Sequence, residues 1–277
     1  MMNALTIDVE DYYQVEAFSH LIPVKDWDSY ESRVTVNTIR ILEILADHGV
    51  RATFFVLGWI AERFPQVIKL ISAEGHEIAS HGYAHRAIYK QTRAEFEQDL
   101  SRSIQTLEGV SGTKVLGYRA PTYSIVKETL WALEILLKNG IKYDSSIFPI
   151  RHDRYGIPGA RRFPYRVDRG KLGTLIEFPP STLRVLGCNI PIAGGGYLRL
   201  YPYAFLRWGL QKINRQGWPT LLYLHPWELD PDQPRLRRIG PLTRFRHYVN
   251  LDTTEKKLRA LLRDFRFAPV KDVLGIS

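Results

Sequence analysis

Cysteine is nearly absent from this chain of 277 residues, in which Cys188 is the only one. A single thiol excludes an internal disulfide, and we expect Cys188 to be inert. The sequence also lacks a run of about 18 apolar residues, the length that a membrane-spanning helix needs. Its first residues, Met1 to Leu5, do not show a basic segment followed by an apolar one. These absences predict a cytoplasmic protein without a transmembrane segment, which could associate with a membrane through partners.

The charge of the chain is unbalanced: 38 Lys and Arg stand against 29 Asp and Glu, a formal net charge of +9. Such an excess favours an anionic partner, which could be nucleic acid, a membrane surface or an acidic polymer. Much of the excess lies late in the chain, as in the run from Arg235 to Arg238. Because solvated faces account for most such runs, we predict no nucleic-acid binding.

The composition is that of a globular protein, with 45% hydrophobic and 24% charged residues. The length fits one α/β domain, and no change in composition marks a linker. Runs that indicate strands alternate with segments of helical spacing. The predicted strands are 4–9, 50–57, 76–80, 114–118, 141–144, 175–178 and 220–224, and the predicted helices are 34–48, 61–73, 94–107, 128–138 and a C-terminal one over 253–265. The first of these helices has apolar residues at helical spacing, namely Val36, Ile39, Ile41, Leu42 and Leu45.

Polar residues stand at the C-terminal ends of these strands. They are Asp8, His81, Arg119, Asp144 and His225. In α/β proteins with parallel strands, chemistry is done at the carboxyl ends of the strands. We therefore predict a barrel-like α/β domain with these side chains around one rim.

The stretch from Ser80 to His85 contains two histidines four residues apart, His81 and His85. This spacing can aim both imidazoles at one point, as a metal site requires, although it also occurs by chance. The first strand runs into a second group of candidate ligands, Asp8, Glu10 and Asp11. Strand alternation would place Asp8 and Glu10 on one side, whereas Asp11 comes round if the chain turns.

Five segments, taken in order, resemble the motifs of NodB-type polysaccharide deacetylases, which form carbohydrate esterase family four. These segments are Thr6–Asp11, His81–His85, Arg119–Tyr123, Tyr143–Ser146 and Leu224–Glu228. The opening Asp8–Glu16, the glycines before Tyr197 and the sequence His225–Glu228 are most similar to the deacetylases of exosortase (PEP-CTERM) exopolysaccharide loci. The resemblance covers nearly the whole chain. It implies a single domain over 1–277, with a family-specific C-terminal extension from about residue 229.

The resemblance further implies a distorted (β/α)7 barrel and a divalent metal, most commonly zinc. It gives the matching residues these roles: His81 and His85 as metal ligands, Asp8 as general base, Arg119 as the residue that orients the base, His225 as general acid and Asp144 as the carboxylate that tunes the histidine. Many relatives have two adjacent aspartates in the first motif, but Val9 follows Asp8 here. The third ligand is therefore Glu10 or Asp11.

Four residues are candidates for sugar binding: Tyr123, Pro121, Trp227 and Tyr197. The predicted function is removal of N-acetyl groups from N-acetylhexosamine units of an exopolysaccharide or its precursor. One alternative is an allantoinase-like amide hydrolase that acts on a small molecule. The other is a carbohydrate-binding protein without catalysis, although such a protein would not need Asp8 and His225 together.

Overall fold

A computed structural model describes residues 1–237 and 239–276. The strands are β1 Met2–Val9, β2 Thr53–Val56, β3 Glu77–Ser80, β4 Gly117–Tyr118, β5 Tyr143–Asp144, β6 Tyr165–Asp168, β7 Thr174–Glu177, β8 Thr182–Val185, β9 Cys188–Pro191, β10 Leu221–Leu224 and β11 Arg266–Ala268. The α-helices are α1 Val34–Asp47, α2 Gly58–Arg63, α3 Pro65–Ala73, α4 Arg93–Ser111, α5 Ala132–Lys138, α6 Gly196–Leu200, α7 Tyr203–Arg215, α8 Pro241–Tyr248, α9 Thr254–Asp264 and α10 Val270–Leu274.

The main sheet follows the order β10-β1-β2-β3-β4-β5-β7-β6, and β11 pairs with the start of β1. Neighbours from β10 to β7 are parallel, whereas β6 is an antiparallel edge strand. Within the described ranges the path does not close between β10 and β6, so the sheet is a curled half-barrel of seven parallel strands with an added edge. This confirms the predicted α/β barrel-like fold. Because the strands are parallel, their carboxyl ends lie along one rim.

Helices α4 and α9 follow the local sequence rules for helix ends and for apolar spacing. Helix α4 begins with a capping box, in which the Thr92 hydroxyl accepts from the Glu95 N–H and the Glu95 carboxylate accepts from the Thr92 N–H. It ends at Gly112, which has the left-handed conformation (φ 69°) that glycine adopts without strain. The C-terminal helix α9 packs through Leu258, Leu261 and Leu262, as its spacing predicts.

Two helix predictions were wrong in detail. The helix predicted over 61–73 is broken between α2 and α3, because Pro65 lacks an N–H and can only begin a new helix after Phe64. In α1 the buried face is formed by positions 34, 37, 38, 41, 42, 44 and 45. Val36 and Ile39 were expected on that face, but they lie on the other side and are 57% and 37% exposed.

No helix within the described ranges combines the length and the apolarity that crossing a bilayer requires.

Candidate active site

One cavity at the carboxyl rim of the sheet collects most of the predicted site residues. It has a volume of about 210 Å³, and its walls include Asp8, Glu10, His81, His85 and His225. Strand β1 delivers Asp8, the turn after β1 delivers Glu10, and the chain leaving β3 and β10 delivers the histidines. All of these side chains except that of His225 are almost fully buried. Residues from positions 8 to 225 therefore meet at a single site.

Glu10, His81 and His85 form a three-donor cluster, in which one ligand atom from each residue lies within 4.8 Å of the others. The Nδ1–H of His81 donates to the carbonyl oxygen of Arg119 at 2.8 Å. Because a carbonyl can only accept, the proton of a neutral His81 is on Nδ1 and the lone pair of Nε2 is free to bind a metal. This assignment fits a ligand imidazole.

The carboxylate of Glu10 also fits a metal ligand. Its Oε2 is buried and lies 2.8 Å from Nε2 of His85. Burial by itself would raise the pKa of the Glu10 carboxyl group. The nearby His85 and His225 together have the larger effect and lower this pKa to about 2. Two imidazoles and one ionised carboxylate are a donor set that suits zinc and similar cations.

Of the two alternatives for the third ligand position, Glu10 lies in the cluster with the two histidines, whereas Asp11 has other partners. Its Oδ2 accepts from the Ser32 hydroxyl at 2.6 Å and from the N–H groups of Arg33 and Val34 at 3.0 and 3.2 Å. The carboxylate therefore binds the free N–H groups at the beginning of α1. The turn after Val9 directs Glu10 into the cavity and Asp11 away from it.

Arg119 holds Asp8 in place, as the resemblance implies. Its guanidinium, which is fully buried, donates to Asp8 Oδ1 at 2.5 Å and to the Thr6 hydroxyl at 2.8 Å. A further N–H donates to the Ser145 hydroxyl at 3.0 Å. The other carboxylate oxygen of Asp8, Oδ2, lies 3.9 Å from Nε2 of His225. Asp8 thus has one carboxylate oxygen, Oδ1, bonded to the guanidinium of Arg119, and its other oxygen, Oδ2, lies on the side of His225.

The carboxylate beside His225 is Glu228, not Asp144. Nδ1 of His225 lies 2.6 Å from Glu228 Oε1, and Arg199 Nε donates to Glu228 Oε2 at 2.7 Å. Pro226 begins a 3-10 helix, Pro226–Leu229, which brings the Glu228 side chain back to His225, three residues earlier in the chain. Burial lowers the pKa of His225, but Glu10, Glu228 and Asp8 raise it to about 9. The Nδ1–H bond to Glu228 leaves Nε2 facing the cavity.

Asp144, which was predicted to lie beside His225, has a different environment in the structure. Its Oδ1 accepts from the Ser146 hydroxyl at 2.5 Å. On the neighbouring parallel strand β7, Glu177 is the residue paired with Asp144 of β5. Burial raises the pKa of Asp144 to about 6, and burial with the adjacent Asp144 charge raises the pKa of Glu177 well above its ordinary range. The two form a buried carboxyl pair within the sheet.

Two of the four predicted sugar-binding residues line the cavity, Tyr123 and Trp227, whereas Pro121 and Tyr197 do not. The Trp227 ring stacks between His225 (centroid distance 5.2 Å) and His247 (4.2 Å). Its indole N–H donates to Glu10 Oε1 at 3.3 Å. Trp227 therefore lines the cavity and also contacts two residues of the site, His225 and Glu10.

Sequence reasoning missed the roles of Glu228 and Arg199. The signal for Glu228 was present, since a proline after His225 favours a turn that brings the third residue back to the histidine. Arg199 carried no signal, because it is 29 residues away from Glu228 in the chain.

Comparisons with known proteins link this chain to two family models. Residues 27–143 match the family model described as polysaccharide deacetylase, and residues 145–275 match that of a domain of unknown function (DUF3473). The segment 27–143 is thus similar to a polysaccharide deacetylase domain. Asp8 and Glu10 precede the first matched segment and His225 lies in the second, so the site draws on both halves of the chain.

Among curated relatives, the peptidoglycan-N-acetylglucosamine deacetylase of Bacillus cereus is 37% identical over 98 residues, which are 35% of this chain and 36% of that protein. The chain therefore matches about a third of the length of that relative.

Solved structures extend the likeness in fold to the whole chain. A crystal structure assigned as a polysaccharide deacetylase from Mycobacterium smegmatis covers 99% of this chain and 88% of its own, with a TM-score of 0.64 at 23% identity. The PuuE allantoinase covers 99% and 89%, with a TM-score of 0.62 at 14% identity. At these identities the likeness concerns the fold.

Proposed function

We propose that this protein is a metal-dependent hydrolase that removes N-acetyl groups from N-acetylhexosamine units of an exopolysaccharide or its precursor. The observation that carries the proposal is the single cavity in which the Glu10, His81 and His85 cluster meets Asp8 and His225. The similarity of the segment 27–143 to a polysaccharide deacetylase domain supports the same activity. We propose zinc as the metal, held by these three residues.

The residues of the chain divide the proton transfers that amide hydrolysis needs. A divalent cation, when bound, supplies polarisation of the acetamide carbonyl and a lower pKa for the attacking water. Asp8 takes the proton of that water through Oδ2, while Arg119 keeps Oδ1 fixed. His225 gives the proton on Nε2 to the departing amine as the C–N bond breaks. The products are acetate and a free amino sugar.

The proposed role of His225 as general acid depends on Glu228 and Arg199. With the Nδ1–H of His225 bonded to Glu228, the ring presents Nε2 to the cavity. Glu228 is itself buried and balanced by Arg199. This arrangement supports an imidazole that is protonated and correctly oriented when the amine leaves.

The experiment measures metal content and acetate release from N-acetylated chitooligosaccharides. The proposal expects bound metal and acetate in equal amount to the new amino groups. Bound metal without acetate, together with hydrolysis of allantoin, would favour the allantoinase-like alternative, whose fold is equally compatible. Sugar binding without turnover of either substrate would favour a carbohydrate-binding protein.

The predicted cytoplasmic location remains a proposal. It fits a precursor assembled on the inner face of the membrane, and cell fractionation tests it.

A further inference from the structure

The mouth of the catalytic cavity contains two arginines, Arg154 and Arg246, in its lining. Arg154 lies in the loop between β5 and β6, and Arg246 lies near the end of α8. Both side chains belong to exposed residues. Both also lower the pKa of His152, after the larger effect of burial, so they lie near the same ring. Two exposed cationic side chains are therefore part of the cavity lining.

Little negative charge balances these two arginines. Within residues 1–237 and 239–276, Arg246 has no ion pair, and Arg154 reaches only Asp153, at 4.0 Å. The Asp153 side chain is 66% exposed and lies closer to His152, at 2.9 Å. Such an exposed contact contributes little. The remaining acid at the mouth, Glu16, is already paired with Lys90.

We infer that this basic pair binds an anionic group on the substrate, so that the protein acts on an acidic glycan. The group is a carboxylate of a uronic acid or a phosphate of a phosphorylated sugar, because the planar guanidinium makes paired contacts with both. A neutral acetylated chain would leave both arginines without a partner. The inference rests on the proposed function, since it places the acetylated sugar in the same cavity.

The test compares kcat/KM on three N-acetylated substrates of equal length. One is neutral chitotetraose, one alternates N-acetylglucosamine with glucuronic acid, and one carries a phosphate on an N-acetylglucosamine unit. The variants are Arg154→Gln and Arg246→Gln. The control is Arg244→Gln, which removes the same charge from an exposed position on α8 that does not line the cavity.

We expect at least one anionic substrate to be preferred over chitotetraose, and each of the two variants to lower that preference about fivefold. The anion that is preferred identifies the source, carboxylate or phosphate. Arg244→Gln should keep the wild-type preference. Equal kcat/KM on all three substrates, or an equal loss in Arg244→Gln, would overturn the inference.

Binding to the Asp8→Asn variant, measured by calorimetry, separates this inference from the proposed activity. If the wild type releases no acetate from any substrate, the proposed function fails, yet tighter binding of an anionic oligosaccharide that depends on Arg154 and Arg246 still supports the basic pair. If acetate is released but binding ignores the anion, the inference fails alone.

Discussion

The cavity has a base side, named for the proposed base Asp8, and an acid side, named for the proposed acid His225, and each contains a buried arginine in a different position. On the base side, Arg119 binds the carboxylate of Asp8 directly. On the acid side, Arg199 binds Glu228, which in turn binds the imidazole of His225. The difference follows from the charges, because an arginine placed directly on a histidine would disfavour its protonated form, whereas a carboxylate between them favours it.

Among the residues that the structure describes, the carboxyl pair of Asp144 and Glu177 has no such direct ion pair with an arginine. Burial then dominates, and both pKa values are raised. Glu228 is equally buried, yet Arg199 and His225 lower its pKa, so the contrast indicates that a direct cationic partner offsets the effect of burial on a carboxyl group.

The largest effect is expected on the base side. Asp8→Asn keeps the ligands but removes the proton acceptor, so kcat should fall by about 10²- to 10⁴-fold with metal content unchanged. His81→Ala, measured beside it, should lose the metal itself, because one of three ligands is gone. An Asp8→Asn enzyme with the wild-type rate would remove Asp8 as the base.

Removing the arginine of the acid side should affect stability most. Arg199→Ala leaves the buried Glu228 charge without its partner and should lower the free energy of unfolding by about 3 kcal/mol, measured in urea. Arg40→Ala is the matched control, since it removes an ion pair with Glu255 from a half-exposed position and should cost less than about 1 kcal/mol. Equal losses would show that Arg199 has no special role.

Glu228→Gln tests the link between carboxylate and histidine. The substitution keeps an acceptor near Nδ1 but removes the charge, so we expect kcat to fall by about 10- to 100-fold. The pKa of His225, raised to about 9 in part by Glu228, should fall. Because the acid must be protonated, the alkaline limb of the pH dependence of kcat should move to lower pH. Asp144→Asn is the comparison, and a larger shift there would restore Asp144 as the partner.

The smallest effect concerns the carboxyl pair. A folded-state pKa of about 6 for Asp144, above its ordinary 3.8, means that the stability it contributes is complete below pH 3.8 and is lost as pH rises through about 6. Glu177 extends the loss to higher pH, since its pKa is raised further. The amide side chain introduced by Glu177→Gln cannot ionise. The free energy of unfolding of this variant should therefore fall less than that of the wild type between pH 5 and 8. Parallel curves would contradict this assignment.

The sequence alone determined where the site is built. Apolar runs and helical spacing fixed the alternation of strands and helices, and the polar residues after them had to share one rim because parallel strands end together. Asp8, His81, Arg119 and His225 were found in this way. The spacing of His81 and His85 likewise required only local geometry.

Only the tertiary structure decided which carboxylate serves each partner. Glu10 and Asp11 are adjacent acids, and the turn after β1 directs one into the cavity and the other to the start of α1. Asp144 ends β5 and Glu228 lies in the turn after β10, and of these two carboxylates only Glu228 contacts His225. A hydrogen bond depends on ångström distances between side chains, and those are set by the packing of the whole chain rather than by the order of its residues.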